Sequence, residues 1–163
     1  MEAIVSAMLE YYRGDSQQIQ HFIKVHSFAR FIGQAELLEA ETQRILEIAA
    51  IMHDIGIKPA LAKYGTSSGT YQEQEGPPVA RKMLSAFALP PDVVERVCYL
   101  VGNHHTYHDI DGVDYQILVE ADFLVNMHEH AMTDEAMRSV VERIFKTPTG
   151  TRYAQTMFGL TSS

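Results

Sequence analysis

The chain has 163 residues, of which 46% are hydrophobic and 21% are charged, which is usual for one globular domain. Its 13 Lys and Arg against 21 Asp and Glu give a formal charge of −8, and the sequence contains no stretch rich in Lys and Arg. We therefore expect no nucleic-acid partner. The first residues lack the pattern of a signal peptide, and no uncharged stretch reaches the ~18 residues of a membrane span. We therefore expect a cytoplasmic protein without a membrane partner.

Apolar residues recur at three- and four-residue steps, which predicts an all-α fold: a single compact helical bundle over residues 1–163. The predicted helices cover residues 2–13, 15 or 16 to about 38, about 41–56, about 71–88, 93–105 and 115–130, with one or two more from 133. A Gly-, Ser- and Thr-rich loop is expected over residues 63–72. Pro77 and Pro78 are tolerable only near the first turn of the helix that contains them.

His53 and Asp54 form an adjacent pair at the predicted end of an apolar helix, in the stretch IAAIMHDIG. A carboxylate among apolar neighbours is costly to bury unless a positive charge compensates it. A divalent metal would do so, because the helix break at Gly56 lets both side chains reach one ion. The alternative is a helix end at which His53 faces the last carbonyls and Asp54 lies in solvent.

Asp122 raises the same question, because it lies on an apolar face of the stretch YQILVEADFLVN. A metal would explain this second carboxylate, and a buried Asp bonded to backbone amides or to an Arg is the alternative. His104 and His105 follow a predicted helix, and neighbouring imidazoles point in different directions. The pair therefore suggests a two-metal site, or else two polar residues of a surface loop.

Two more candidates, His21 and His26, lie in the stretch QHFIKVHSFARFIG. They are five residues apart and cannot share one helix face. Each continues an apolar stripe, so helical periodicity does not choose between them, and each could be a hydrogen-bonded core histidine.

The order of these residues resembles the HD-domain superfamily of metal-dependent phosphohydrolases over about residues 15–130. In that family a ligand His precedes a Val by four residues and an Ala by eight, as His21 does here, so the resemblance selects His21 over His26. AAIMHDIG resembles the signature helix, and VEADFLVN resembles the helix with the terminal Asp. The resemblance implies a basic ligand set of His21, His53, Asp54 and Asp122.

Branches of this family with two metals add histidines between the signature pair and the last Asp, often one in a His-Gly-Pro context. In this chain Glu75 precedes Gly-Pro at that place, and Glu73 is a rival because the sequence does not orient the helix. His104-His105 is similar to the double His of these branches, and His105-Thr106 resembles the His-Thr of bacterial HD-domain diadenosine tetraphosphatases.

The resemblance implies a centre in which Asp54 bridges two divalent ions. One ion would be held by His21, His53 and Asp122, and the other by Glu75, His104 and His105. Imidazoles and carboxylates favour Fe, Mn, Co or Zn, as one or two ions. Such ions would acidify a water to a hydroxide that attacks phosphorus.

Two basic residues are the candidate contacts for a phosphate. Some branches place a lysine directly after HDIG, where this chain has Ile57, with Lys58 one residue later. We expect Lys58 to act in catalysis and in substrate binding, and Arg81 to bind substrate.

The predicted function is hydrolysis of a small phosphorylated molecule, a nucleotide or a dinucleotide. The alternatives are a di-iron HD-type oxygenase and a non-catalytic nucleotide-binding or sensor module with a degenerate site. The sequence predicts neither the substrate nor the oligomeric state.

Overall fold

The computed structural model describes residues 1–160, and within that range the chain is helical with no strand. The prediction of an all-α fold is confirmed. The helices are α1 (Glu2–Tyr11), α2 (Ser16–Ala35), α3 (Ala40–Met52), α4 (Ile57–Tyr64), α5 (Gly69–Leu84), α6 (Pro91–Val101), α7 (Val113–Glu129), α8 (Asp134–Ile144) and α9 (Pro148–Phe158), with a 3-10 turn (His53–Gly56) between α3 and α4. The last three residues of the predicted 1–163 domain lie outside the described range.

Helix α3 lies at the centre of the molecule and packs against α2, α6 and α7. All of its last five residues are buried, from Ile48 to Met52, because neighbouring helices cover it on more than one side. A helix covered in this way carries apolar residues around most of its circumference. The residues that follow its C-terminal end, His53 and Asp54, therefore lie in the interior.

Local signals account for several helix ends. Asp15 caps α2, and its side chain accepts a hydrogen bond from the backbone N–H of Gln18. Gly65 ends α4 in the left-handed conformation at φ 72°, which costs glycine little. No helix within residues 1–160 is both long enough and apolar enough to span a lipid bilayer.

The structure differs from the sequence prediction around the two proline segments. The predicted helix end at Gly56 is a short 3-10 turn, after which α4 begins. Pro59 fits this arrangement because it lies in the first turn of α4, where its missing N–H would have had no partner.

Helix α5 begins at Gly69, so Pro77 and Pro78 lie in its interior, and the prediction that they mark its first turn is wrong. The Pro77 ring packs close to α6, where a Cβ at Gly102 would lie 2.9 Å from the ring carbon Cγ. The thiol of Cys98, also on α6, donates to the Pro77 carbonyl across 3.6 Å. Packing against α6 therefore offsets the backbone hydrogen bonds that the prolines remove.

Candidate metal centre

The 3-10 turn that carries His53 and Asp54 is held in place by two tyrosines, the last residue of α1 and the residue that follows it. The hydroxyl of the fully buried Tyr12 donates to the Asp54 carbonyl across 2.7 Å, and that of Tyr11 donates to the Ile55 carbonyl across 3.0 Å. A Cβ at Gly56 would collide with the backbone of α5. Glycine at this position lets the turn and α5 pack in direct contact.

Four buried side chains from three parts of the fold meet at this turn. His21 and His53 point their Nε2 atoms at each other across 3.1 Å. Asp54 Oδ2 lies 3.4 Å from each of these nitrogens. Asp122 Oδ1, from α7, lies 3.2 Å from His21 Nε2 and 3.5 Å from His53 Nε2.

The other nitrogen of each imidazole is already bound. His53 Nδ1 donates to the Ala50 carbonyl across 2.9 Å, and His21 Nδ1 donates to the Glu129 carboxylate across 2.8 Å. Both Nε2 atoms therefore present lone pairs to the centre of the cluster. Two facing lone pairs with two carboxylate oxygens repel one another unless protons or a cation lie between them.

The electrostatics show that the cluster attracts positive charge. Burial by itself raises the pKa of Asp54 and Asp122, but the neighbouring imidazoles outweigh burial and hold both carboxyl pKa values well below their usual range. Burial also lowers the pKa of His21 and His53, yet the two carboxylates outweigh it and raise both above the usual 6.5.

A second group of donor atoms adjoins the first through Asp54, whose other oxygen, Oδ1, lies 3.6 Å from His104 Nε2. His104 donates its Nδ1 proton to the Val101 carbonyl across 2.8 Å, so its Nε2 also presents a lone pair. Ligand atoms of Asp54, His104 and His105 all lie within 4.8 Å of one another. Burial and the adjacent His104 lower the pKa of His105 to about 4, so this imidazole is neutral at pH 7.

These donor atoms fit divalent cations. Nitrogen and oxygen ligands lie about 2.0–2.2 Å from a zinc-like ion, which places adjacent ligands of one ion about 3.0–3.5 Å apart. The Nε2 atoms of His21 and His53 lie between 3.1 and 3.5 Å from each other and from the two carboxylate oxygens. The Nε2 atoms of His104 and His105 are buried without a hydrogen-bond partner, which costs about 1–3 kcal/mol for each group unless a ligand satisfies it. Metal-binding imidazoles characteristically donate their second N–H to a carbonyl or carboxylate, as His21, His53 and His104 do here.

A cavity of about 370 Å³ opens beside the cluster. Asp54 and Asp122 line it together with His21 and His105. Uncharged polar residues supply much of the remaining wall: Gln17, Gln18, Ser67, Gln72 and Asn126. Within the described part of the chain, no Lys or Arg lines this cavity.

The two glutamates proposed from the sequence lie in other contacts. Glu75 accepts hydrogen bonds from Lys63 and Tyr64, both across 2.8 Å, and does not line the cavity. Glu73 accepts from the backbone N–H of His105 and from the Thr106 hydroxyl, both across 3.0 Å, so it supports the double-His segment. The α5 residue that does line the cavity is Gln72. The sequence did not orient α5, because the face that this helix turns to the cavity depends on its packing in the fold.

The two basic residues proposed as phosphate contacts also lie outside the cavity. The Lys58 ammonium donates to the Tyr11 carbonyl and lies 5.0 and 5.1 Å from the ring centres of Tyr11 and Tyr12. Arg81 forms a surface ion pair with Glu95. The residue after HDIG that lines the cavity is Ile57.

His26 lies away from the cluster, with its Nε2 3.3 Å from the Glu47 carboxylate. Periodicity did not separate it from His21, because each histidine continues an apolar stripe of α2, although His21 is buried and His26 is half-buried. His128 is exposed, and His130 lines the cavity.

Sequence reasoning missed the polar residues that hold the acidic groups in place. Gln18 donates to Asp54 Oδ2 across 2.7 Å, and Asn126 donates to Asp122 Oδ1 across 2.8 Å. Glu129 binds His21 and also accepts from Lys24 across 2.6 Å. The sequence did hold one signal for such residues, which is a polar side chain one helical turn away from a candidate ligand. Asn126 follows Asp122 by four residues and so lies on the same face of α7.

The comparisons with known proteins agree with this geometry. The family model of the HD domain matches residues 19–147, which include every side chain of the cluster. Neither a curated protein nor a solved structure matches the chain. Since the match covers well over half of the sequence, the chain belongs to the HD domain family.

Proposed function

We propose that this protein is a metal-dependent phosphohydrolase whose substrate is a small phosphate ester, with a nucleotide as the preferred class. The observation that carries the proposal is that two buried carboxylates lie beside a cavity together with four imidazoles, of which only that of His105 is half-buried. HD-domain proteins are generally metal-dependent phosphohydrolases, which agrees with this donor set. Divalent ions bound here would neutralise phosphate oxygens and acidify a water molecule.

The proposed ligands divide around Asp54. Its Oδ2 faces His21 and His53, which with Asp122 form the first position. Its Oδ1 faces His104, which with His105 forms the second. Gln18 and Asn126 hold the two carboxylates in these orientations by donating to one oxygen of each.

The cavity wall favours a substrate with few negative charges. Lys and Arg are absent from the lining that the structure describes, so the protein itself offers no full positive side-chain charge to a triphosphate. Amides such as Gln17 and Gln18 can donate to phosphate oxygens or accept from sugar hydroxyls. The volume of about 370 Å³ lies near the lower end of the ~300–1,000 Å³ typical of ligand pockets, which suits one nucleotide better than two.

Phosphate release tests the proposal. Protein freed of metal with a chelator is reloaded with Mn, Fe, Co or Zn and supplied with nucleoside mono-, di- and triphosphates and dinucleotides. We expect a water oxygen to replace the ester oxygen on phosphorus, so that a monophosphate yields a nucleoside and inorganic phosphate. The reaction should be fastest with monophosphates.

A matched pair of variants tests the site. Asp122→Asn should abolish release, whereas Asp109→Asn, the same change at a side chain that is 98% exposed, should leave it intact. No release with any metal or substrate would refute the proposal. Oxygen consumption by an iron-loaded protein that releases no phosphate would support the oxygenase alternative instead.

A further inference from the structure

Three buried side-chain atoms near Asp54 have no hydrogen-bond partner among the described residues. They are Nε2 of His104, Nε2 of His105 and Oε1 of Gln72. The two imidazoles belong to the second metal position. Gln72 has no part in the ligand sets considered above, although it lines the same cavity as Asp54 and His105.

The orientation of the Gln72 side chain is fixed by its own contacts. Only 7% of the residue is exposed, and its Nε2 donates to the Ser67 carbonyl across 2.8 Å. A carbonyl oxygen only accepts, so the amide nitrogen must be the atom that faces Ser67, and Oε1 is the free end.

The start of α5 lies between the 3-10 turn and the double-His segment. The Gln72 backbone carbonyl abuts Gly56, and one turn earlier a Cβ at Gly69 would lie 2.8 Å from the ring carbon Cγ of His105. Gln72 therefore belongs to the stretch of helix that closes the cavity beside Asp54 and His105.

The two metal positions differ in charge. The first has two carboxylates, Asp54 and Asp122, with two imidazoles. The second shares Asp54 and has two imidazoles, while Glu73 and Glu75 are bound to other groups. A cation in the second position is therefore attracted by less negative charge.

We propose that the amide oxygen of Gln72 is a ligand of the second metal position, and that this position binds a divalent cation more weakly than the first and fills after it. The proposal builds on the metal centre of the proposed function, but it concerns binding and requires no turnover. A cation bound to Oε1 would satisfy this buried acceptor, and the neutral amide adds no negative charge to the second position. Amide and carboxylate oxygens suit manganese, so this ion is the appropriate probe.

The test is a calorimetric titration of the chelator-treated full chain with Mn²⁺ alone. We expect two binding steps of unequal affinity. Gln72→Leu nearly keeps the size of the side chain and removes the oxygen. It should weaken the affinity of the second step by at least about tenfold, which is the lower limit of the loss in metal affinity when a group around a metal is removed. The first step should not change, which also shows that the variant is folded.

Two further variants sharpen the test. Gln72→His supplies an imidazole nitrogen and should strengthen the second step. Gln74→Leu makes the same change two residues along α5, at an exposed side chain that contacts Tyr64, and should alter neither step. A single step in the wild-type protein, two equal steps, or a second step that Gln72→Leu leaves unchanged would overturn the proposal. Two unequal steps, the second weakened by Gln72→Leu, in a protein that hydrolyses no phosphate ester would uphold it and refute the proposed function.

Discussion

The contact between His21 and Glu129 offers a direct test of how this centre is organised. His21 Nδ1 donates to Glu129 across 2.8 Å, and the second Glu129 oxygen accepts from Lys24 across 2.6 Å. The Glu129 side chain is 16% exposed, and the hydrogen bonds from Lys24 and His21 outweigh its burial and lower its pKa. An ionised Glu129 fixes the His21 proton on Nδ1 and keeps the Nε2 lone pair directed at Asp54 and Asp122.

Removing this support should weaken metal binding in a graded way. Losing a group that orients a metal ligand typically lowers metal affinity about 10–100-fold, or about 1.4–2.7 kcal/mol. Glu129→Gln retains an oxygen that can accept from Nδ1, so we expect a loss near the lower limit. Glu129→Ala removes the acceptor and should lie near the upper limit.

Competition with a chromophoric chelator for Co²⁺ measures these affinities, and ¹⁵N NMR of labelled histidine reports which His21 nitrogen carries the proton. The matched control is Glu47→Gln, which alters the corresponding contact of His26 on the same helix, 3.3 Å long. That change should leave cobalt affinity as it is in the wild type. Unchanged affinity in both Glu129 variants, or an equal loss in Glu47→Gln, would refute this account of how His21 is oriented.

Three further outcomes are expected. His53→Ala and Asp54→Ala should each lose bound metal and activity, while circular dichroism shows that helicity is retained. His128→Ala, at an exposed position, should keep both metal and activity. Equal loss in all three variants would contradict the division between site and surface. The pKa values of His21 and His53 are raised above 6.5 in the folded protein, so their contribution to stability is complete below that pH and is lost as pH rises through the folded values. The melting temperature of the metal-free protein should therefore fall as the pH rises above 6.5, and bound metal should remove this fall; a metal-free melting temperature that rises instead would contradict the pKa directions. Lys58→Met should lower the free energy of unfolding by about 1 kcal/mol, because its ammonium lies against two aromatic rings, with kcat/KM unchanged; a large loss of kcat/KM in a stable variant would restore its catalytic role.

The residues that could be found from the sequence are those whose chemistry conflicts with their neighbours. Asp54 and Asp122 stand among aliphatic residues, and this conflict alone marks them as needing compensation. The structure brings them together with His53 and with His21. The choice of His21 over His26 came from the resemblance to a family, because both histidines continue apolar stripes of one helix.

The residues that could not be found depend on how α5 is placed. The sequence predicted a helix start near residue 71 with Pro77 and Pro78 near the first turn, whereas packing against α6 lets the helix begin at Gly69 and pass through both prolines. The packing of α5 against its neighbours directs Gln72, rather than Glu73 or Glu75, to the cavity. A neutral glutamine carries no signal of buried charge, so only the fold distinguishes it from other glutamines of the chain.

The distribution of charge also decides how an acidic protein with a formal charge of −8 could bind an anion. Lys58 and Arg81 are bound to other groups outside the cavity, and the wall that the structure describes contributes amides and three carboxylates, Asp54, Asp122 and Glu129, of the same sign as a phosphate. A phosphate that enters is therefore repelled by Asp54 and Asp122 unless cations lie between these side chains and the phosphate. The same ions that relieve the repulsion between the carboxylates would supply the attraction for the substrate. Phosphate binding and metal binding should consequently be coupled in this protein, with each raising the affinity for the other by the same factor.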